Sequence, residues 1–482
     1  MPLKIILSDK FFLLILASSL CARLISLAFF GMQDMPDSSG YWEYADYILA
    51  TPDWGDKNAY LFRMVGYPYL IAALKSLSSD HWRILLGALQ VMLSLTATSF
   101  LFVAAVRLLE NIKIARLIAI IYIFSIFFFL DTTVLTDSLS SHLFTIIFSI
   151  LVITFCHERP KIIFPFLICG LLLAGCFMLR EGTTYLVVAS FPLIGLLIYK
   201  ISCIYSLRWG VLALLLYFLP LVTAHQSILS WNEARTGERF VTTGARTVYT
   251  YALMKPYLTY FPEIFSGDSE LDQAFRTYVK TDSFMDIILL NEHLQNDLKW
   301  SETKIIEKSK EKYFETLRSN PKVIAFIIAS NIKPNTFFSL FQPTLSIGQK
   351  ISVAEDHYKY WRARFIVFDF LKTFNFKLIF PILLLVIESI IGVFIFSLFV
   401  FVLPIHIFKK LKNEPFRNFI SSNEALLFCL ALLYIGFWLI HALVHLEARY
   451  HAGVNMVVLL SSAFLLKEYP NMLPRKIRQL LH

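Results

Sequence analysis

Charge is scarce in this chain. Only 16% of its 482 residues are Asp, Glu, Lys or Arg, against 57% hydrophobic, and the mean hydropathy is +0.62. That balance excludes an ordinary soluble globular domain. Cysteine is scarce too: Cys21, Cys169, Cys176 and Cys429 lie inside apolar runs, with Cys156 and Cys203 at the ends of such runs. No C-x-x-C spacing occurs, so neither a metal knuckle nor a disulfide framework is expected. Internal repeats, low-complexity tracts and a strand-rich region are also lacking. The run at 11–30 follows Lys4 and Lys10 as a signal peptide would, but it is long and has no clear small-x-small cleavage site. It reads as a retained first span. The net charge of +9 suits helix orientation and contact with anionic membrane lipids, and gives little reason to expect nucleic acid as a partner.

What the chain has in quantity is apolar length. Windows long enough to cross a hydrocarbon core of about 30 Å fall at 11–30, 84–106, 114–130, 138–156, 162–179, 184–199, 209–224, 377–404, 425–445 and 452–466. The expected fold is an all-α polytopic membrane protein with about ten spans. Tyr67 to Leu77 is too short to cross and reads as an interfacial or re-entrant helix. With the N-terminus cytoplasmic, every even-numbered connection is basic: Arg107, Lys113 and Arg116; Arg159 and Lys161; Lys200 and Arg208; Lys409, Lys410, Lys412 and Arg417. The C-terminal Lys467, Arg475, Lys476 and Arg478 fall on the same side, which orients both termini inward.

Three parts follow: a transmembrane module at 1–224 carrying a first outer loop at 31–83, a large outer segment at 225–376, and a second module at 377–482. Within the large segment, Ser301 to Arg318 reads as an amphipathic helix capped by Ser301 and ended by Pro321. Lys322 to Ser330 reads as an interfacial or core helix.

On this topology the outer connections carry the chemistry. Asp34, Asp37 and Arg63 come from the first loop, Asp131 and Asp137 from the connection after the third span, Arg180 and Glu181 from that after the fifth, and Glu447, Arg449, Tyr450 and His451 from that after the ninth. Each has a plain structural alternative: Asp37 and Asp137 as helix caps, Arg63 as an anchor, Arg180-Glu181 and Glu447-x-Arg449 as ion pairs at helix ends. His441 and His445 share a helix face with His451 nearby, but a metal site there needs a third ligand. Together, arginines suit a phosphate or pyrophosphate headgroup and an unpaired carboxylate suits a general base. That combination describes group transfer from a lipid-phosphate donor.

Pro36-Asp37-Ser38-x-x-Tyr41-x-x-x-Ala45 followed by Phe62-Arg63-x-x-Gly66-Tyr67-Pro68 resembles the first outer loop of GT-C fold membrane glycosyltransferases, in particular the family 39 relatives of protein O-mannosyltransferases and aminoarabinose transferases. Thr136-Asp137-Ser138, Leu179-Arg180, Trp231-Asn232-x-x-x-x-Gly237 and Glu447-x-Arg449-Tyr450 resemble later motifs of that family in the same order. Val65 stands where the family often has proline, and His451-Ala452-Gly453 follows the late motif where a proline is usual.

The resemblance implies an inverting transferase in a bacterial inner membrane with an extracytoplasmic site. It would move a sugar from a polyprenyl-phosphate donor to a lipid-linked glycan or other extracytoplasmic acceptor. Asp37 is the implied catalytic base with Asp137 supporting the catalytic site, and Arg63, Arg180 and Arg449 are the implied donor-phosphate ligands. Asp34, Tyr41, Tyr67, Glu181, Glu447 and Tyr450 are supporting residues. The resemblance leaves open a divalent cation, Mg or Mn, for which the residues provide no ligand set. Two alternatives remain: an O-antigen ligase or polysaccharide polymerase, and a non-enzymatic flippase or transporter of lipid-linked sugars. Transport predicts ionisable groups at the bilayer midplane, whereas these spans keep their charges almost entirely at their ends, with Glu388 the exception.

Overall fold

The computed structural model describes residues 2–479 apart from 36, 52–61, 126, 332–371, 373–378, 445–451, 476 and 477. The chain is helical, and among the described residues the only extended pairing is one parallel bridge between Gln33 and Thr133. In chain order the helices are α1 (Pro2–Ser8), α2 (Lys10–Phe30), α3 (Ser39–Ala50), α4 (Gly66–Leu77), α5 (Trp82–Leu109), α6 (Ile112–Ile123), α7 (Phe127–Leu130), α8 (Thr136–Cys156), α9 (Ile163–Leu179), α10 (Thr183–Ile204) and α11 (Leu207–Thr236). The segment that follows holds α12 (Gly244–Thr259), α13 (Glu270–Tyr278), α14 (Phe284–Asn296), α15 (Glu302–Ser319) and α16 (Pro321–Asn331). Then come α17 (Ile379–Ser397), running through a π-turn into α18 (Leu403–Asn413), α19 (Phe416–Ile420), α20 (Asn423–Val444) and α21 (Asn455–Glu468).

Seven helical stretches among the described residues are long and apolar enough to cross a membrane: Lys10–Phe29, Trp82–Leu109, Thr136–Cys156, Thr183–Ile204, Leu207–Thr236, Ile390–Asn413 and Asn423–Val444. The protein is therefore multi-pass. The other three expected spans form shorter helices, of 12 residues in α6, 17 in α9 and 14 in α21. At about 1.5 Å of rise per residue, α6 reaches only about 18 Å. It stops at Ile123 for a visible reason. Arg23 of α2 donates to the Ile123 carbonyl at 2.9 Å, and the Ser125 hydroxyl turns back to Tyr122 O at 2.7 Å. Those carbonyls are taken before a further turn can use them.

Helix α8 is the hub, with 83% of its apolar window buried against at most 56% for any other candidate span. It packs between α5 and α9, and α9 in turn packs closely on α11. At Gly170 the α9–α11 approach leaves no room for a side chain: a Cβ would lie 2.3 Å from Leu216 O. Helix α11 outlasts its apolar run and ends at Gly237, where φ is +79°. The expected boundary at residue 224 thus falls inside a continuous helix.

The segment beyond α11 has a separate hydrophobic core around Leu253, Phe265, Phe275, Leu290 and Ile327. Ser301 caps α15 as expected, accepting from Lys304 N at 3.1 Å. Pro321 marks the break by opening α16, where its missing N–H is not needed. Two bonds tie this unit to the end of α20, from Tyr313 Oη to Leu443 O and from Asn331 Nδ2 to Ala442 O, each 2.8 Å.

The interfacial helix expected over 67–77 is α4. It is held by another close approach, because a Cβ on Gly66 would lie 2.5 Å from the carbonyl oxygen of Met178, near the end of α9. Backbone faces backbone there, so neither side can yield cheaply. Gly66→Ala is expected to destabilise the protein by about 1–3 kcal/mol, read as a lower thermal midpoint in nanodiscs. Gly175→Ala, inside α9 with nothing within 4 Å of its Cβ, is the control expected to leave it unchanged or raise it slightly.

Candidate active site

The site begins with two irregular segments stitched together at one end of the bundle. Gln33 N donates to Thr132 O at 2.9 Å, and Val134 N returns to Gln33 O at 3.0 Å. The Ser38 hydroxyl accepts from Met35 N and donates to Val134 O, each at 2.7 Å. Asp37 is thereby fixed beside the entry to α8, which carries Asp137 in its first turn. The close approach at Gly66 adds the third segment by setting the Arg63 loop against the end of α9, where Arg180 leaves the helix.

These segments line one cavity of about 520 Å³. Arg63 Nη2 bonds Asp37 Oδ1 at 2.9 Å and Nη1 reaches the Tyr41 hydroxyl at 3.3 Å, with the guanidinium 4.7 Å from the Tyr41 ring centre. Arg180 Nη1 bonds Asp137 Oδ1 at 2.5 Å. Both arginine side chains keep nearly a quarter of their surface exposed, whereas Asp137 keeps 3%. The cavity thus presents two guanidiniums, each backed by its own carboxylate. Guanidinium forks match phosphate oxygens, and an entering phosphate would compete with Asp37 and Asp137 for them.

The other wall comes from α10, α12 and the end of α20. Asn232 Nδ2 donates to Phe240 O and Val241 O, both at 2.9 Å, and so shapes the turn before α12. Thr242, at the end of that turn, donates its hydroxyl to Glu181 Oε2. Burial lifts the Glu181 carboxyl above the ordinary carboxylate range, opposed by that hydroxyl. Tyr185, Tyr249 and Tyr251 complete the wall with His441, whose ring meets Tyr185 edge-on at 5.1 Å.

Sequence reasoning had set capping against chemistry for both aspartates. Ser38 and Leu135, not the aspartates, hold the N-cap positions, and both carboxylates face arginines. Arg180 and Glu181 do not pair with each other, nor is Arg63 a simple anchor. Asp34 is drawn away from the cavity into a bidentate pair with Arg83, at 2.9 and 2.7 Å. Tyr67 is fully buried and supports Tyr41 edge-on at 5.1 Å. Glu447, Arg449, Tyr450, His445 and His451 lie outside the described residues, as does the side chain of Glu388.

Asp131 departs from its expected place in the cavity. It is fully buried with Arg23 Nε at 2.9 Å, His142 Nε2 at 2.7 Å and the Ser138 hydroxyl at 2.8 Å. Arg23 also corrects the reading that Glu388 is the exceptional charge within a span, since it sits inside α2 with no exposed surface. A cation in the run Cys21-Ala22-Arg23-Leu24 was the available signal, because a lone charge in apolar surroundings requires a partner. The tyrosine wall and Thr242 had no such signal.

The two cavity aspartates are engaged by guanidiniums, and among the described residues no three His, Cys, Asp or Glu side chains are grouped to hold a metal ion. No protein-family model, curated protein or solved structure matches the chain.

Proposed function

We propose that the protein is a GT-C type membrane glycosyltransferase of about ten spans, working at the extracytoplasmic face of a bacterial inner membrane. It takes a sugar from a polyprenyl-phosphate carrier and adds it to a hydroxyl on a lipid-linked glycan or another extracytoplasmic acceptor. The observation that carries the reading is the pair of arginine–aspartate contacts, Arg63–Asp37 and Arg180–Asp137, on one cavity.

In this reading the donor phosphate exchanges with the carboxylates for the guanidiniums of Arg63 and Arg180. As Arg63 turns to the phosphate, the Asp37 carboxylate is placed to meet the acceptor hydroxyl at the anomeric carbon. The acceptor oxygen forms a bond to that carbon as the bond from carbon to phosphate oxygen breaks, and Asp37 takes the acceptor proton. Polyprenyl phosphate departs with the bonding electron pair, its added charge met by the arginines. Asp137 holds Arg180 in place from the first turn of α8, and Arg449 is a further phosphate ligand that the resemblance supplies.

The test is transfer in proteoliposomes containing the full-length protein, a polyprenyl-phosphate sugar and a lipid-linked glycan extract. Appearance of free polyprenyl phosphate and of a glycan heavier by one sugar is expected. Consumption of a lipid-pyrophosphate glycan with the monophosphate donor left intact would favour the ligase alternative and refute this reading.

A further inference from the structure

Glu181 is unlike the other acids of the cavity. Asp37 and Asp137 each face a guanidinium, whereas Glu181 makes no ion pair among the described residues, and its bond is to the Thr242 hydroxyl. Space is kept open beside it by Gly244, where a Cβ would come within 3.6 Å of Glu181 Oε2. Tyr249, on the next turn of α12, is close enough for the Glu181 charge to add to burial in keeping its hydroxyl protonated.

The aromatic side chains here are braced. Tyr249 rests on Tyr313 with ring centres 5.4 Å apart, and Tyr251 meets Phe284 at 5.8 Å. Tyr313 is itself bonded to α20 through Leu443 O. A firm aromatic wall next to a carboxylate and a threonine hydroxyl offers ring faces to C–H groups and acceptor atoms to hydroxyls. An incoming phosphate or carboxylate would meet the negative charge of Glu181, which makes no ion pair among the described residues, at a depth where water screens little.

We propose that this wall binds the acceptor through an uncharged sugar unit, with Glu181 and Thr242 holding its hydroxyls and Tyr249 and Tyr251 against its ring. The proposal rests on the transferase reading and narrows it, since the reactive hydroxyl then belongs to a neutral sugar and not to an anionic group. Arg63 and Arg180 serve the donor, Glu181 and the tyrosines the acceptor.

The test uses the full-length protein in nanodiscs with two kinds of probe, both read by ligand-observed NMR. Farnesyl phosphate reports the arginine pairs. Neutral methyl hexosides and methyl N-acetylhexosaminides, compared with hexose phosphates, report the tyrosine wall while farnesyl phosphate is saturating. The neutral glycosides are expected to bind the wild type, to outcompete the hexose phosphates, and to weaken about tenfold in Glu181→Ala and in Tyr249→Ala. Farnesyl phosphate binding is expected to be retained in Tyr249→Ala and retained or strengthened in Glu181→Ala, which also shows that both variants are folded. Neutral glycosides that fail to bind, that bind both variants as well as wild type, or that bind less well than hexose phosphates would overturn the proposal. Failure of farnesyl phosphate to bind the wild type would instead strike the donor reading, and glycoside binding is scored without it.

Discussion

Asp37→Asn is expected to reduce sugar transfer in proteoliposomes by about a hundred- to ten-thousand-fold, the range for losing a general base, while donor affinity holds or improves. The two effects separate because Asp37 has two roles. In the resting site it neutralises Arg63 across 2.9 Å, so asparagine leaves that guanidinium more available to a phosphate. In the proposed reaction it takes a proton, which asparagine cannot do. Arg63→Ala is expected to give the complementary pattern, with donor binding lost first. Arg63→Lys keeps the charge but not the fork, and is expected to recover only part of it. Equal loss of donor binding in Asp37→Asn and Arg63→Ala would show that the pair is a structural brace.

Asp131→Ala is expected to be the most damaging single change for the fold. It would take the Asp131 carboxylate away from the buried Arg23 guanidinium, and breaking a buried pair on one side costs about 3–5 kcal/mol. The damage would also travel, because the segment beginning at Asp131 carries the Gln33 bridge, the Val134 oxygen that holds Ser38, and Asp137. Asp131→Asn keeps the size and part of the bonding, so a smaller loss is expected. The readout is the thermal midpoint in nanodiscs together with the yield of folded protein. If Asp131→Ala were as stable as wild type, the buried network would not be what fixes this end of the bundle.

The sequence made the helical, multi-pass architecture legible because apolar length is a strong signal. Over 114–130 it did not show that the apolar run is cut at Ile123 by contacts from Arg23 and Ser125 that no local pattern contains. Asp37, Arg63, Asp137, Arg180 and Glu181 were legible as neighbours through the expected topology, which puts each at an outer connection. Their pairing was not: nothing in Arg180-Glu181 announces that Arg180 turns to Asp137 and Glu181 to Thr242. That division follows from where α12 lies, and α12 shares a second core with α15 and α16, which are bonded to α20. That Arg83, at the start of α5, claims Asp34 was likewise not legible.

The central claim is that two arginines, resting on two aspartates, form a grip for a lipid phosphate. Its most direct test is equilibrium binding of farnesyl phosphate to the full-length protein in nanodiscs, across wild type, Arg63→Ala, Arg180→Ala and the double variant. The account predicts binding by wild type, a loss of about tenfold or more in each single variant, and none measurable in the double variant, while farnesol binds all four alike. Equal binding of farnesyl phosphate by wild type and the double variant would contradict it.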